Sequence, residues 1–301
     1  MWRPRASGRS GHARLCAGIF CALFILYSAS RAASADQAPR PLSFGITAVF
    51  PVDQENFLSD WKRYLETRLG RPVQFVRRKS YAEITDMLLS GQLDAAWICS
   101  FPYVLNRQQF RLLATPVFHG EPYYRSYLIV SADDHKTRGY PDLKGKVFAY
   151  VEPRSNTGYL YPRYRLHQLG LDDRQFFRDT VFTWAHANVI RAVAEKMADA
   201  GALDGYIWEV IRHRQPALAI RTRVVARSDK FGFPPIVASA STSEETAGKL
   251  KKILLEMHLD PDGKRLLDKL DLDRMILPSP SIYDSVEAMV GTLAGKLALR
   301  P

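Results

Sequence analysis

The feature that most constrains the fold is an apolar strand that leads through a short polar turn into a helix. Apolar residues 146–151 predict a buried strand, and residues 159–170 predict a helix that ends at a glycine. Ser155, Asn156 and Thr157 lie in the turn between them. The first N–H groups of a helix have no intrahelical partner and carry the positive end of its dipole, so this turn suits a tetrahedral oxyanion. The alternative is that Ser155 or Asn156 serves only as an N-cap.

Strand and helix patterns also alternate along the rest of the chain, which predicts an α/β fold with mainly parallel sheets. The length of the chain indicates two lobes. We predict that the first lobe comprises residues 36–124 together with 225–301, and that the second lobe comprises residues 125–224. The chain would then cross between the lobes twice. A cleft between two lobes is the usual place for a ligand.

Residues 1–35 have the organisation of a secretory signal peptide. An arginine-rich leader without acidic residues precedes the apolar stretch 15–27, and Ala33, Ser34 and Ala35 form a small-residue cleavage site. The apolar stretch is shorter than the ~20 residues that a membrane span needs. We therefore predict cleavage after Ala35 and export as a soluble protein. The alternative is an uncleaved membrane anchor.

The charge balance favours an anionic ligand over a nucleic acid. The full chain has a formal net charge of +11, from 42 basic and 31 acidic residues, and cleavage would remove five arginines and no acid. The mature chain would keep a smaller positive excess, and the sequence has no Lys/Arg cluster with interleaved aromatic residues. The histidines show no metal-ligand spacing with cysteines or acids. We therefore expect no nucleic acid, no metal and no other cofactor.

Cys99 is the one cysteine of the predicted mature chain, because Cys16 and Cys21 belong to the predicted signal peptide. The mature chain would then have no internal disulfide. Cys99 ends a predicted strand and should face the cleft. A lone cysteine is most often a buried small apolar residue, but a thiolate would also suit a soft ligand such as trivalent arsenic.

Five motifs, in one order, resemble the phosphonate/phosphite-type periplasmic solute-binding proteins of ABC transporters. The matching segments are GQLDAAW at 91–97 with PYV at 102–104, DLKGKV at 142–147, SNTGYLYP at 155–162, HANVIRAVA at 186–194 and GALDGY at 201–206. Each motif alone is weakly specific, but five in order are strong, and the resemblance extends from about Phe44 to Trp208. It implies a two-lobed, type II periplasmic binding protein that closes on its ligand in the cleft.

The resemblance also implies which residues contact the ligand. The oxyanion contacts of the family map onto Ser155, Asn156 and Thr157, with His186 from the neighbouring loop. Tyr81 falls where the family often has an aromatic residue at the mouth of the cleft.

Other positions are open to two interpretations or depart from the family pattern. Asp204 could hold the closed cleft or accept from a protonated ligand oxygen, or it could be a turn carboxylate. Tyr103 could cap the cleft or pack as a core aromatic at the start of a helix. Members that bind aminophosphonates hold the amine with acids, and residues 205–208 show no convincing match to such an acid. Cys99 stands where a small residue such as glycine is common.

These patterns predict a periplasmic protein that captures a phosphonate, phosphite or phosphate for uptake by an ABC permease. The alternative is an oxyanion or arsenite sensor that signals to a membrane histidine kinase, with Cys99 in the site. An enzyme is not expected, since Ser155 has no visible base-and-acid set and the chain has no Gly-x-Ser-x-Gly elbow. We expect a monomer.

Overall fold

Two β-sheets organise residues 40–47 and 54–295, the part of the chain that the computed structural model describes. The predicted signal peptide and its cleavage after Ala35 lie outside these residues. The strands are β1 Leu42–Ile46, β2 Val73–Arg77, β3 Ala95–Trp97, β4 Phe110–Val117, β5 Tyr123–Tyr124, β6 Ser126–Ser131, β7 Val147–Tyr150, β8 Asp179–Phe182, β9 Ala200–Asp204, β10 Thr222–Arg227, β11 Phe231–Gly232, β12 Ile236–Ser239 and β13 Arg274–Ile276.

Helices connect most of these strands, and the mixture of the two confirms the predicted α/β class. The α-helices are α1 Gln54–Leu69, α2 Tyr81–Leu89, α3 Ser100–Leu105, α4 Tyr161–Gln168, α5 Asp173–Phe176, α6 His186–Ala194, α7 Gly205–Arg214, α8 Pro216–Ala219, α9 Glu244–Glu256, α10 Pro261–Asp268 and α11 Asp284–Leu293. A π-helix at Asn156–Leu160 leads directly into α4. Within the described ranges, no helix has the length and apolar character needed to cross a bilayer.

Both sheets are mixed, which corrects the prediction of mainly parallel sheets. The first sheet has six strands in the order β13-β4-β12-β3-β1-β2, and the second has five in the order β10-β6-β9-β7-β8. Strand β1 runs parallel to β2 and β3, and β7 runs parallel to β8 and β9, whereas the other pairs described in these sheets are antiparallel. Connectivity is the reason: β12 returns from the second sheet and inserts antiparallel between β3 and β4.

Two segments carry the chain between the sheets. Strand β5 leads out of the first sheet and β11 leads back, and the two pair antiparallel, Tyr124 opposite Phe231. The run 123–130, which the sequence predicts as one β-rich segment, is therefore split at Arg125 into β5 and β6. The lobe boundaries at 124/125 and 224/225 stay a prediction, and β10 continues past the second of them to Arg227.

The sequence pattern predicts a strand over residues 202–206, but the structure divides these residues between a strand and a helix. Strand β9 ends at Asp204, and α7 begins at Gly205. The carboxylate of Asp204 accepts the backbone N–H of Tyr206 at 2.8 Å and so caps α7. This local hydrogen bond competes with the extended backbone and turns the chain into a helix.

Helix α1 packs an aromatic cluster against the first sheet. Its buried apolar residues recur at helical spacing, a sequence pattern that predicts a helix here, and are Phe57, Leu58, Trp61, Tyr64 and Leu65. The ring of Trp61 lies 5.3 Å from that of Phe44 and 6.0 Å from that of Trp97, both in edge-to-face geometry. Such pairs add to the free energy of apolar burial. They fix α1 on β1 and β3.

Gly263 in α10 allows the helix to approach the backbone at Met257, and we predict that Gly263→Ala is destabilising. An added Cβ would lie 2.3 Å from the carbonyl oxygen of Met257, which is backbone and cannot rotate away. Overpacking of this kind costs about 1–3 kcal/mol, so the melting temperature should fall. In the control Gly291→Ala the Cβ meets nothing within 4 Å in helix α11, and the higher helix propensity of alanine should raise stability by about 0.5–1 kcal/mol. Equal melting temperatures for the two variants would contradict this packing.

Candidate functional site

The polar turn predicted from the sequence lies directly after β7 and opens the π-helix. Ser155 is fully buried, and its Oγ accepts the backbone N–H of Gly158 at 3.0 Å. Ser155 is therefore the N-cap, the alternative considered for it, but its own hydroxyl proton is still available to donate. Gly158 is required here because a Cβ would lie 2.2 Å from Cγ2 of Val151. The turn is thus packed tightly against the end of the strand that precedes it.

Two side-chain atoms of this turn are buried without a hydrogen-bond partner: Oδ1 of Asn156 and Oγ1 of Thr157. The turn itself is held in place, since the Thr157 carbonyl accepts from Ser126 Oγ at 2.6 Å and Asn156 Nδ2 donates to the Tyr124 hydroxyl at 3.0 Å. Leaving a buried polar atom unpaired costs about 1–3 kcal/mol, so such atoms are uncommon in folded proteins. The Thr157 hydroxyl can donate to an anionic oxygen, whereas Asn156 Oδ1 can only accept and would pair with a protonated oxygen of a ligand.

Tyr81, His186 and Asp204 form a hydrogen-bonded chain beside the turn. The Nδ1 atom of His186 accepts the backbone N–H of Asp204 at 3.0 Å, so the neutral imidazole carries its proton on Nε2. Nε2 lies 3.4 Å from the hydroxyl oxygen of Tyr81. Burial lowers the pKa of His186 to about 3 and raises the pKa of Tyr81 well above its usual value. Both groups are therefore neutral donors near pH 7.

Asp204 lies at the end of this chain, where β9 passes into α7. Its side chain is buried and accepts the N–H of Tyr206, as a turn carboxylate would. Burial raises the pKa of Asp204 to about 8, despite the backbone N–H groups of Tyr206 and Ile207. A carboxyl group with such a pKa carries a proton much of the time at neutral pH.

Cys99 also belongs to this cluster, at the N-cap position of α3. Its sulfur accepts the N–H of Asn156 at 3.3 Å and lies 3.9 Å from the hydroxyl of Tyr124. Burial raises the pKa of Cys99 to about 11, so the thiol is protonated at neutral pH. This protonation opposes the role of a thiolate ligand for trivalent arsenic.

Tyr103 is placed differently from the other predicted site residues. It is buried in α3, and its ring packs edge-to-face on Tyr283 with the centroids 4.7 Å apart. These are the contacts of a core aromatic, the second interpretation given for it above. The hydrogen bonds link Cys99 to the turn 155–157 through Asn156, and they link Tyr81, His186 and Asp204 to one another. Glu152 joins the two groups, because its carboxylate accepts the Tyr81 N–H at 2.9 Å and its carbonyl accepts the Ser155 N–H at 3.0 Å.

Sequence reasoning missed two members of this cluster. Tyr124 lies in the β-rich run 123–130, a pattern that predicts only a strand residue, yet its hydroxyl contacts the side chains of Ser100 at 2.7 Å and Asn156 at 3.0 Å. Glu152 stands three residues before the turn and is 1% exposed. The signal available for Glu152 was its position at the end of an apolar run, because an acidic residue is rarely buried unless another group pairs with it.

Every side chain in this cluster is neutral or acidic. Among the side chains that the structure describes, no buried one belongs to a lysine or an arginine. The described residues likewise contain no group of three or more His, Cys, Asp and Glu residues that could hold a metal ion. An anion bound here would therefore be held by hydroxyl, imidazole and backbone N–H donors and by the helix dipole.

The fold is that of a two-lobed, type II periplasmic binding protein. Over residues 44–283 the sequence matches the family described as "ABC transporter, phosphonate, periplasmic substrate-binding protein", and the chain belongs to that family. The role of that family is substrate binding, so the prediction that the chain is not an enzyme is confirmed.

Individual relatives agree with this assignment. The phosphate-import protein PhnD of Mycolicibacterium smegmatis is 26% identical over 206 residues, which cover 64% of this chain and 64%, just under two thirds, of that protein. The phosphonates-binding periplasmic protein of Escherichia coli is 26% identical over 261 residues, 83% of this chain and 76% of that protein. The structure of PhnD1 from Prochlorococcus marinus in complex with methylphosphonate matches this structure with a TM-score of 0.75 at 20% sequence identity. The match covers 85% of this chain and 99% of the PhnD1 chain.

We predict that Cys99 reacts slowly with thiol reagents in the folded protein. Burial and a pKa of about 11 leave little thiolate, so at pH 8 labelling should be about 100-fold or more slower than in guanidinium. The measurement is the rate of disulfide exchange with a chromogenic reagent, on a form without residues 1–35, in which Cys99 is the one cysteine. Labelling of the native protein at the rate of the unfolded chain would contradict the environment described for the sulfur.

Proposed function

We propose that the protein captures a small tetrahedral oxyanion, namely a phosphonate, phosphite or phosphate, in the periplasm and presents it to an ABC permease. The proposed contacts are Ser155, Asn156, Thr157, Tyr81 and His186. Membership of the family supports the transport role, and the relatives from Mycolicibacterium smegmatis and Escherichia coli are named for phosphate import and phosphonate binding. Cleavage of a signal peptide after Ala35 and a monomeric state belong to the same proposal.

The observation that carries the proposal is the buried hydroxyl of Thr157, which has no partner in the protein. It lies in the first turn of a helix, beside the hydroxyl of Ser155, and the dipole of that turn favours negative charge. In the neighbouring group the Nε2–H of His186 faces the Tyr81 hydroxyl oxygen at 3.4 Å, which leaves the hydroxyl proton of Tyr81 to donate. A tetrahedral oxyanion offers several acceptor oxygens in a small volume, which matches donors that converge from different elements.

Residues 205–208 offer no acid that could pair with the ammonium group of an aminophosphonate. Their polar side chains are engaged: the Tyr206 hydroxyl donates to the Leu270 carbonyl at 2.6 Å, and Trp208 Nε1 donates to Thr222 Oγ1 at 3.1 Å. The acids of the cluster are Asp204 and Glu152, so an amine would have to pair with one of these two buried carboxyl groups.

Removing the free hydroxyl of the turn tests this proposal directly. A hydrogen bond to a charged group contributes about 1.5–3 kcal/mol, so Thr157→Ala should weaken binding by about tenfold or more. Calorimetry with phosphite, phosphate and methylphosphonate measures the effect. Thr157→Ser keeps the hydroxyl and should bind nearly as the wild type does.

A matched control separates binding from stability. Thr115→Ala also removes a buried threonine hydroxyl, but that hydroxyl pairs with Tyr283 at 2.8 Å. This variant should melt at a lower temperature and keep its affinity. If Thr157→Ala binds every responsive oxyanion as tightly as the wild type, the assignment of the site is wrong.

Cys99→Ser distinguishes uptake of a phosphorus oxyanion from arsenite sensing. Serine is close to cysteine in size and can still accept from Asn156 N–H, so affinity for a phosphorus oxyanion should change by less than about tenfold. Arsenite would instead need the sulfur and would lose binding, because a hydroxyl is a harder and less acidic ligand. Both ligands should be titrated into the wild type and the variant. Arsenite binding that requires Cys99, without binding of any phosphorus oxyanion, would reject the proposal in favour of the sensor.

A further inference from the structure

Glu152 connects the two sheets through its carboxylate. It follows β7 of the second sheet, and its Oε2 accepts the backbone N–H of Tyr81 at 2.9 Å. Tyr81 begins α2, which lies between β2 and β3 of the first sheet. The other carboxylate oxygen accepts the N–H of Arg154, also at 2.9 Å. One buried side chain of the second sheet thus holds the N-terminus of a first-sheet helix, and with it the tyrosine that faces the proposed ligand.

Among the described residues, no buried cation accompanies Glu152 to offset its negative charge. From the first sheet, Tyr81 and the thiol of Cys99 face it, and from its own loop the half-buried Arg154 attracts it. Burial is the largest effect and raises the pKa of Glu152 to about 7, although two N–H groups and Arg154 favour the ionised form. The carboxylate is therefore held by hydrogen bonds in a place where its negative charge is costly.

An anion in the adjacent turn would add a second negative charge to this region. Ser155, the N-cap of the turn, donates its N–H to the carbonyl of Glu152 at 3.0 Å, so the two groups belong to one short loop. Like charges in a desolvated place repel strongly, and protonation of the carboxylate removes the repulsion.

We propose that Glu152 takes up a proton from solvent when the oxyanion is captured, so that the protein binds its anion together with H⁺. This inference rests on the oxyanion-binding function proposed above. Glu152 acts as a positioning residue: one carboxyl oxygen continues to accept the Tyr81 N–H, while the added proton neutralises the group. Binding of the oxyanion is then coupled to the uptake of a proton by Glu152.

The direction of the pH dependence follows from the two states of the carboxyl group. Before the cleft closes, an exposed glutamate has a pKa of about 4.3. In the closed structure the pKa is about 7, and a bound anion would raise it further. Between these values the closed form binds more protons than the open form, so affinity decreases as pH rises, by up to about tenfold per pH unit. Below the lower value both forms are protonated and the dependence disappears.

The test compares the wild type with Glu152→Gln in calorimetric titrations with methylphosphonate from pH 5 to pH 8. The glutamine carbonyl can still accept the Tyr81 N–H, but the side chain carries no charge. Titration of the ligand is common to both proteins and cancels in the ratio of their dissociation constants. We expect the smallest difference at pH 5, and an advantage for Glu152→Gln that grows by up to about 100-fold between pH 5 and pH 7.

Two further measurements make the outcome decisive. Glu66→Gln is the matched control, because Glu66 also accepts a backbone N–H, that of Val73 at 2.9 Å, but far from the turn in the chain. Its pH curve should be parallel to that of the wild type. Titration of the wild type in two buffers with different heats of ionisation reports proton uptake without any variant, and we expect more uptake near pH 6 than Glu152→Gln shows.

Parallel pH curves for the wild type and Glu152→Gln would overturn the inference, as would equal proton uptake by the two. Uniform weakening of Glu152→Gln at all pH values would also overturn it, since this would show a structural tether without proton coupling. Absence of oxyanion binding by the wild type would reject the proposed function, and this inference with it. The first three results leave the proposed function intact, so failure of the inference and failure of the function can be told apart.

Discussion

The site depends on one constraint: its polar groups are buried, and no lysine or arginine of the described residues is buried with them. Ser155, Asn156, Thr157, His186, Asp204 and Glu152 are all buried, and no lysine or arginine is buried in the described part of the chain. Neutral donors therefore have to hold an anion, and burial strengthens each of their hydrogen bonds because the local dielectric is low. The same low dielectric raises the pKa of both carboxyl groups. Anion binding and carboxyl protonation thus have one physical origin.

The fold supplies these donors from elements that are distant in sequence. The tight turn after β7 is stabilised locally by Gly158 against Val151, while Tyr81, Cys99 and Tyr124 reach it from segments on or beside the first sheet. Each contact joins a residue of one sheet region to a residue of the other. The observed arrangement therefore depends on polar contacts between the two sheet regions, and a ligand that adds hydrogen bonds to the same donors would stabilise it.

The sequence was informative where the determinants are local. The strand, turn and helix around Ser155, the apolar face of α1 and the α/β alternation all follow from spacing over a few residues, and the structure has them. Helix α7 was missed because the capping bond from Asp204 to Tyr206 is not visible in an apolar pattern. The contact of Glu152 with Tyr81 spans 71 residues, and no local rule predicts such a pair. The mixed sheets have the same cause, since β12 takes its place only after the chain has returned from the second sheet.

The most direct test of this account is a crystal structure of the protein with methylphosphonate. The account predicts a phosphonate oxygen within about 2.7–3.1 Å of Thr157 Oγ1, further oxygens on Tyr81, His186 or backbone N–H groups of the turn, and no lysine or arginine in contact with the anion. A phosphonate bound elsewhere, or one paired with an arginine or lysine side chain, would contradict the claim that neutral donors of this turn hold the ligand.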